Sequence, residues 1–595
     1  MDNINGRLLV GSGCATRKTI KNTSGQSPDF ETSETTMAAA AVDDHVTDST
    51  NNNEQIKSNE ILHEKQDGVT TEQAGNEPEY ETGWRLAAVM TTIFLTTLLA
   101  ALDIGIVATA IPAITDEFRR LDDVGWYGSA CFLLVGTSSP MWGKLYKYFS
   151  TKLVYLASVA LFLIGSIVAA TAPNSPALIV ARALQGWGCS GSLGGSVLMI
   201  GYVAEPKKRP MLIGLWMGVF MCSTIVGPLI GGAFTSEVTW RWCFWINLPV
   251  GGPVILLVLL FFRVPKHIKP TPATKKEILL QLDLPGFTLL LTSLICFTLA
   301  LQWGGQSKAW SDGSVIATLV LWVVLTIAFV VTEWLSGAYA MVPLSLLKPR
   351  MTWTNALYGY IENCANFQVL FYLPIYFQSI HGQSAIASGV NSLPFLAFFA
   401  VGSLLSGFLV MKTRLLQPYE LASGLLATAG AALLYTLDLD SSKARYIGPQ
   451  IMFGFGLGLG SQIPMTALQA FSKPENVAST TGIMLMCNSI SGAYFVTAAQ
   501  SIFANRLLQK LTSTAPNIDA AVVLATGASD IHRVFSGGDL AAVLDAYMSG
   551  MKDVFAFSMA GAAASAVVAL VIPFKKVPSN ESRKTEEKVA TAAQL

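Results

Sequence analysis

The sequence predicts an all-α membrane protein of fourteen transmembrane helices. Three observations point there. Of 595 residues, 52% are hydrophobic and only 13% charged, about half the charged share of an ordinary soluble domain. Apolar runs near the roughly 20 residues that a helix needs to cross a bilayer recur along the chain. The loops between them carry lysine and arginine unevenly on alternate sides. A soluble enzyme is not what this composition builds. Lys+Arg and Asp+Glu cancel at 39 each, so no overall basic field points to a nucleic-acid partner.

Residues 1–82 are rich in Ser, Thr, Asn, Asp and Glu. Residues 1–80 hold fourteen acids against six bases, a composition that cannot bury enough apolar surface to offset its ordering entropy. A disordered acidic cytoplasmic tail is expected, with no cleaved signal peptide, so that the first apolar span inserts itself. The apolar runs fall at approximately 86–110, 125–142, 151–172, 178–200, 211–233, 242–262, 285–302, 315–335, 353–377, 386–411, 421–437, 447–468, 479–504 and 551–573. Segment 505–550 reads as the one long loop, in which Asp539–Met548 has the pattern of a short helix.

With the N-terminus in the cytoplasm, the six inner loops carry sixteen Lys and Arg and the six short outer loops carry six. Both termini are therefore expected in the cytoplasm. The sequons at Asn22 and Asn580 then lie in the tails, where no glycosylation is expected. Span 2 ends in Gly143-Lys144 and span 10 in Gly407 followed by Lys412 and Arg414. Each is the second helix of a six-helix set if spans 7 and 8 are an insertion, a 6+2+6 plan of two six-helix bundles around a central path. The expected divisions are a tail at 1–82, a first bundle at 83–263, a linker with two extra helices at 264–350, a second bundle at 351–574, and a cytoplasmic tail at 575–595.

Ionised side chains within spans cost about 2.5–3.5 kcal/mol each on insertion scales and should face protein or water. Asp103 in span 1, Arg182 in span 4 and Glu362 in span 9 qualify. At 1.5 Å per residue, Asp103 and Arg182 both lie roughly 24–25 Å above the inner edge, and Glu362 lies near the midplane. Two readings of the first two stand side by side: a proton relay in which the arginine holds the carboxylate ionised, or a static pair locking two helices. Glu362 is either a carboxyl that takes up a proton or attracts a cation, or a neutral one hydrogen-bonded among Asn363, Asn366 and Gln368. Glu333, at the end of span 8, is expected to snorkel to the inner interface.

Gly186-Trp-Gly188-Cys-Ser-Gly191 satisfies G-x-G-x-x-G literally, but it lies inside an apolar span without the strand and helix N-terminus that a dinucleotide site needs. Close helix packing is the default explanation for this run and for Gly191/Gly195, Gly227/Gly231 and Gly454/Gly458. The chain has no G-x-x-x-x-G-K-[S/T], so energy is expected from a gradient instead of ATP. The dispersed cysteines suggest neither a disulfide framework nor a zinc site. No cofactor or metal is expected.

Four segments together resemble the major facilitator superfamily, and within it the fourteen-span drug:proton antiporter branch of fungi that includes toxin and multidrug exporters. Leu102-Asp103-Ile104-Gly105-Ile106-Val107-Ala108-Thr109-Ala110-Ile111-Pro112 resembles the first-helix signature. Ala181-Arg182-Ala183-Leu184-Gln185-Gly186 resembles R-x-x-Q-G, which the family associates with proton coupling; the resemblance carries that role to Arg182 and marks Gln185. Gly227-Pro228-Leu229-Ile230-Gly231-Gly232 is similar to the antiporter motif G-P-x-x-G-G, and Trp240-Arg241-Trp242-Cys243-Phe244-Trp245-Ile246-Asn247-Leu248-Pro249 is typical of the same exporters. The likeness runs from about Trp84 to Phe574. The loop Gly143–Lys152 departs from the family pattern, with Lys147 in place of Asp and Ser150 in place of Gly, and reads mainly as a positive-inside anchor.

The expectation is a proton-coupled antiporter of the major facilitator fold that exports a small amphipathic or hydrophobic compound by alternating access. Asp103, Arg182 and Gln185 would couple protons. Tyr360, Glu362, Asn363, Asn366, Gln368 and Asn488 are cavity candidates. Gly227, Pro228, Gly231 and Gly232 would shape a gate, where a proline lacking its N–H and side-chain-free glycines allow bending and tight packing; a passive kink is the plainer alternative. The expected partners are a small-molecule substrate, protons and membrane lipid, for a monomer in the plasma membrane or, alternatively, the vacuole. Import of a nutrient, iron chelate or amino acid, and a transport-inactive sensor, are the rival readings.

Overall fold

The computed structural model describes residues 83–118, 124–264, 270–526, 528 and 530–578. The acidic stretch 1–82, both sequons and the tail beyond 578 lie outside them. The described chain is helical apart from an isolated bridge between Gly304 and Lys308. Its first part comprises α1 (Gly83–Phe118), α2 (Val124–Tyr148), α3 (Thr151–Ala170), α4 (Ser175–Val203), α5 (Arg209–Glu237), α6 (Trp242–Trp245) and α7 (Asn247–Phe261). Next come α8 (Lys275–Gln281), α9 (Leu284–Trp303), α10 (Gly313–Ser336) and α11 (Leu344–Leu347). The last part comprises α12 (Arg350–Ser379), α13 (Ala385–Thr413), α14 (Gln417–Tyr435), α15 (Lys443–Ser461), α16 (Ile463–Phe471), α17 (Val477–Thr514), α18 (Ala520–Ala525), α19 (Ile531–Val534) and α20 (Gly537–Val571).

A helix covers each of the fourteen apolar runs, two of which are interrupted, at Ile246 and at Gln462. By length and composition, ten helical segments of the described residues are apolar enough to cross a membrane. Helices α2, α4, α12 and α14 fall outside those ten. Each buries polar groups that lower its hydropathy, among them Thr137 to Ser139 on α2, Arg182 and Gln185 on α4, Glu362 and Gln368 on α12, and Glu420 on α14. Polar side chains persist in such helices where they face protein instead of lipid. Helix α10 is the opposite case: Val315 and Glu333 are its only buried residues.

Packing is reciprocal between the first and last parts of the chain. Helix α1 lies along α5, and α4 is held between α2 and α3; α15 likewise lies between α13 and α14, and α20 against α12 and α14. The two parts meet where α2 packs on α17 and α5 on α13. At the first seam a Cβ on Gly143 would stand 2.8 Å from the Ala478 carbonyl oxygen, and one on Gly482 2.7 Å from that of Ser139. The absence of side chains there lets two backbones touch. At the second, Gly407 meets Pro210 and Met211, and Gly214 meets Ser403.

Three expectations are corrected. Segment 505–550 is mostly helix: α17 runs on to Thr514 and α20 begins at Gly537. Those extensions are tied by Arg506–Asp553 and Lys510–Asp545, each 3.2 Å, pairings between segments forty residues apart that no local pattern reveals. Lys144 is not a solvated anchor but 3% exposed. Its ammonium donates to the carbonyls of Gln281 (2.5 Å), Tyr339 (3.0 Å) and Ala340. Glu333 does not snorkel either: it is buried and accepts from the Val342 N–H at 2.7 Å. Asp283, with φ +45°, caps α9 through the Gly286 N–H and accepts from Met341 at 2.8 Å. The segment carrying α8 to α10 is thus held to α2 by the buried Lys144, with two buried carboxylates, Asp283 and Glu333, beside it. Replacing Lys144 with Met should destabilise the purified protein by about 3 kcal/mol, since one partner of a buried charge cluster is lost. Lys275→Ala, on an exposed position, should change it by less than about 0.5 kcal/mol; thermal unfolding in detergent measures both.

Candidate functional site

Asp103 on α1 and Arg182 on α4 meet inside the first group of helices, each 1% exposed. Arg182 donates through Nη1 to Asp103 Oδ2 and, at 2.8 Å, to Gln185 Oε1. Its Nε donates to the Tyr127 carbonyl on α2 at 2.9 Å, and the guanidinium lies 5.8 Å from the Phe244 ring centroid. Residues three apart share a helix face, so R-x-x-Q puts Gln185 beside its arginine. Gln185 Nε2 then donates to Asp103 Oδ1 at 3.0 Å and to Ser166 Oγ on α3 at 2.9 Å. The three residues expected to act together are in one hydrogen-bonded cluster, and the matching heights read from the sequence correspond to a direct contact.

The cluster holds two members that sequence reasoning did not assign. Asn247, the first residue of α7, donates through Nδ2 to Asp103 Oδ1 and to Ser166 Oγ, both at 3.1 Å. Its only signal was a polar residue within the Trp240–Pro249 motif; Ser166 had none. The start of this motif is pinned separately. Arg241 Nη1 reaches both oxygens of Glu117 at 2.8–2.9 Å, Trp240 Nε1 donates to Glu117 at 2.7 Å, and Arg241 Nη2 donates to the Ala172 carbonyl at 3.0 Å. The Arg241 guanidinium holds the exposed Glu117 carboxyl below the usual carboxylate range.

The proline-glycine motif packs directly beside this cluster. A Cβ on Gly227 would lie 2.9 Å from the Gly105 Cα, two residues from Asp103, and one on Gly231 would lie 2.5 Å from the Ile106 carbonyl oxygen. Pro228 contacts Gly105, whereas nothing lies within 4 Å of a Cβ on Gly232. The rejected G-x-G-x-x-G run is uninterrupted helix, with Gly186 against Cys131 and Gly188 against Phe162.

A cavity opens between the two parts of the chain. Aromatic and aliphatic groups such as Phe132, Trp216, Phe220, Phe367 and Phe371 form its walls, with amides from Asn363, Asn366, Gln462 and Asn488. Among the described residues, no ionisable side chain lines it. Three of the six cavity candidates, Asn363, Asn366 and Asn488, line it, and Tyr360, Glu362 and Gln368 do not. Tyr360 packs against Phe495 at 5.4 Å. Glu362 turns towards α14, where Ser423 and Glu420 neighbour it, and Gln368 Nε2 lies 3.2 Å from Cys364 Sγ. Ile104, next to Asp103, lines the cavity, so α1 serves the cavity on one face and the charge cluster on another. Gly231→Ala should destabilise the protein by about 1–3 kcal/mol through overpacking, and Gly232→Ala should be neutral or stabilising by up to ~1 kcal/mol, both read from unfolding midpoints.

The comparisons with known proteins agree with this architecture. Residues 93–496 match the model of the Major Facilitator Superfamily. The chain is 78% identical over 503 residues to the efflux pump notK of Aspergillus sp. (strain MF297-2), covering 84% of this chain and 89% of that one. It is 64% identical over 533 residues to a dehydrocurvularin exporter of Alternaria cinerariae, covering 89% and 92%. Among solved structures, the proton:xylose symporter XylE superposes with a TM-score of 0.52 at 11% identity, covering 84% of this chain and 98% of that one, a likeness of fold. The chain belongs to the Major Facilitator Superfamily: it is a multi-pass membrane transporter similar to fungal efflux pumps, and not an enzyme.

Proposed function

We propose that the protein is a proton-coupled antiporter of the plasma membrane that exports a small, uncharged, largely apolar compound by alternating access. The observation that carries this reading is the buried Asp103–Arg182–Gln185 cluster. A carboxylate enclosed beside a guanidinium is a site whose charge changes by one when a proton binds, and it abuts the helix that walls the cavity. The cavity chemistry supports a neutral cargo, since four amides and many aromatic rings offer hydrogen bonds and stacking without a fixed charge. Relatives named as an efflux pump and as dehydrocurvularin exporters support outward movement.

In this reading the fourteen helices form two six-helix bundles, 83–263 and 351–574, with the two extra spans in 264–350. The reciprocal seams α2–α17 and α5–α13 are the surfaces on which the bundles rock. The lysine-rich ends of the spans, with both termini, face the cytoplasm. Asn363, Asn366 and Asn488 hold cargo, while Gly227, Pro228 and Gly231 keep α5 tight on α1 so that protons do not leak past the cluster.

Vesicles reconstituted with the full chain and offered dehydrocurvularin as probe test this. Probe should move against an imposed proton gradient, and movement along the proton's direction would mean import. Asp103→Asn should abolish gradient-driven movement while leaving downhill exchange. Asn366→Leu should raise the KM about tenfold, the size of one lost polar contact of ~1.4 kcal/mol, with the gradient dependence intact. Transport indifferent to Asp103→Asn would refute proton coupling.

A further inference from the structure

The coupling cluster contains one unsatisfied atom. Asp103 is surrounded by donors: Arg182 Nη1 on Oδ2, and Gln185 Nε2 and Asn247 Nδ2 on Oδ1. Ser166 Oγ accepts from Gln185 and Asn247, and its own proton goes to the Phe162 carbonyl at 3.0 Å. Asn247 is 0% exposed, yet its Oδ1 has no hydrogen-bond partner. A buried acceptor left empty costs about 1–3 kcal/mol. The arrangement is complete for an ionised Asp103 in every respect but this one.

Protonation inverts the requirement. An O–H on Asp103 Oδ1 is a donor and would point at two N–H groups. Gln185 cannot turn to receive it, because its Oε1 already accepts from Arg182. Asn247 can: rotating its amide by half a turn exchanges Nδ2 for the unpartnered Oδ1, which then accepts the new O–H; the Nδ2 bond to Ser166 Oγ is given up, and the Ser166 hydroxyl turns from the Phe162 carbonyl to donate to the same Oδ1. We propose that Asn247 is a positioning residue for proton coupling, whose side-chain amide donates to Asp103 when the carboxyl is ionised and turns to accept from it when the carboxyl is protonated. This rests on the reading of Asp103 as the coupling carboxyl.

The other groups that face Asp103 do not share this role. Arg182 on α4 is a permanent cation, and Cys131 on α2, Cys189 on α4 and Cys243 on α6 are the other titratable side chains that interact with Asp103. Asn247 begins α7 directly after the segment clamped to Glu117 and Ala172. A turn of its amide therefore occurs at the junction between the cluster and that clamped loop.

The two roles of Asn247 make opposite predictions when the amide is removed. A fixed donor only stabilises the ionised carboxyl, so its loss would strengthen proton binding. A turning amide is the sole acceptor of the protonated form, whereas the ionised form keeps Arg182 and Gln185; its loss weakens proton binding. Infrared titration of the full chain in lipid follows the carboxyl band that disappears in Asp103→Asn. In Asn247→Leu its midpoint should fall by about one pH unit, a tenfold loss of proton affinity, and Asn247→Gln should restore it. Should the leucine variant fail to fold, Asn247→Ser, too short to reach Asp103, gives the same test of sign. An unchanged or raised midpoint overturns the role of Asn247. A wild-type titrating band that survives Asp103→Asn overturns the coupling reading itself, and with it this inference.

Discussion

An arginine that cannot lose its proton and cannot reach water sets the terms for the first half of this molecule. Arg182 is among the largest fully buried side chains, and a charge so enclosed needs a counter-charge and hydrogen-bond acceptors around it. Asp103, the Gln185 amide and the Tyr127 carbonyl meet that need, and they come from α1, α4 and α2. Three helices must therefore converge at one point before the arginine is tolerable. Ser166 and Asn247 bring in α3 and α7 through the second-row hydrogen bonds. The geometry of the bundle and the chemistry of the cluster are the same constraint.

The neighbouring glycines follow from that convergence. Helix α1 carries Asp103 towards the cluster and Ile104 towards the cavity, leaving Gly105 as the surface on which α5 rests through Gly227 and Pro228. Asp103 therefore lies within one turn of a cavity wall and of the helix that forms the α5–α13 seam. The α9–α10 pair lies at the other seam, against α17 and α2, held by Lys144. The two seams are built differently: one adjoins the helix that packs beside the charge cluster, and the other is flanked by the α9–α10 pair.

How much of this was legible in the sequence depended on the range of the interaction. Rise per residue sufficed to put Asp103 and Arg182 at one height, because both spans have clear ends. Helix faces were harder. On α12, Glu362 lies between residues that line the cavity and residues that do not, and its turn towards Glu420 depends on packing against α14. The polar residues Tyr360 to Gln368 cover every face of their helix, so composition alone selects none. Lys144 and Glu333 read as interfacial charges because their partners lie 137 to 196 and nine residues away, mostly backbone carbonyls and N–H groups. Asn247 was visible only as one letter of a motif.

Coupling requires that cargo and proton compete for the protein, and proton release on cargo binding reads this directly. In weakly buffered detergent solution about one pH unit below the titration midpoint of the cluster, where most carboxyls hold their proton, saturating cargo should expel close to one proton per protein from the wild type and none from Asp103→Asn. Cargo that binds without releasing a proton, or equal release from both proteins, would contradict the account.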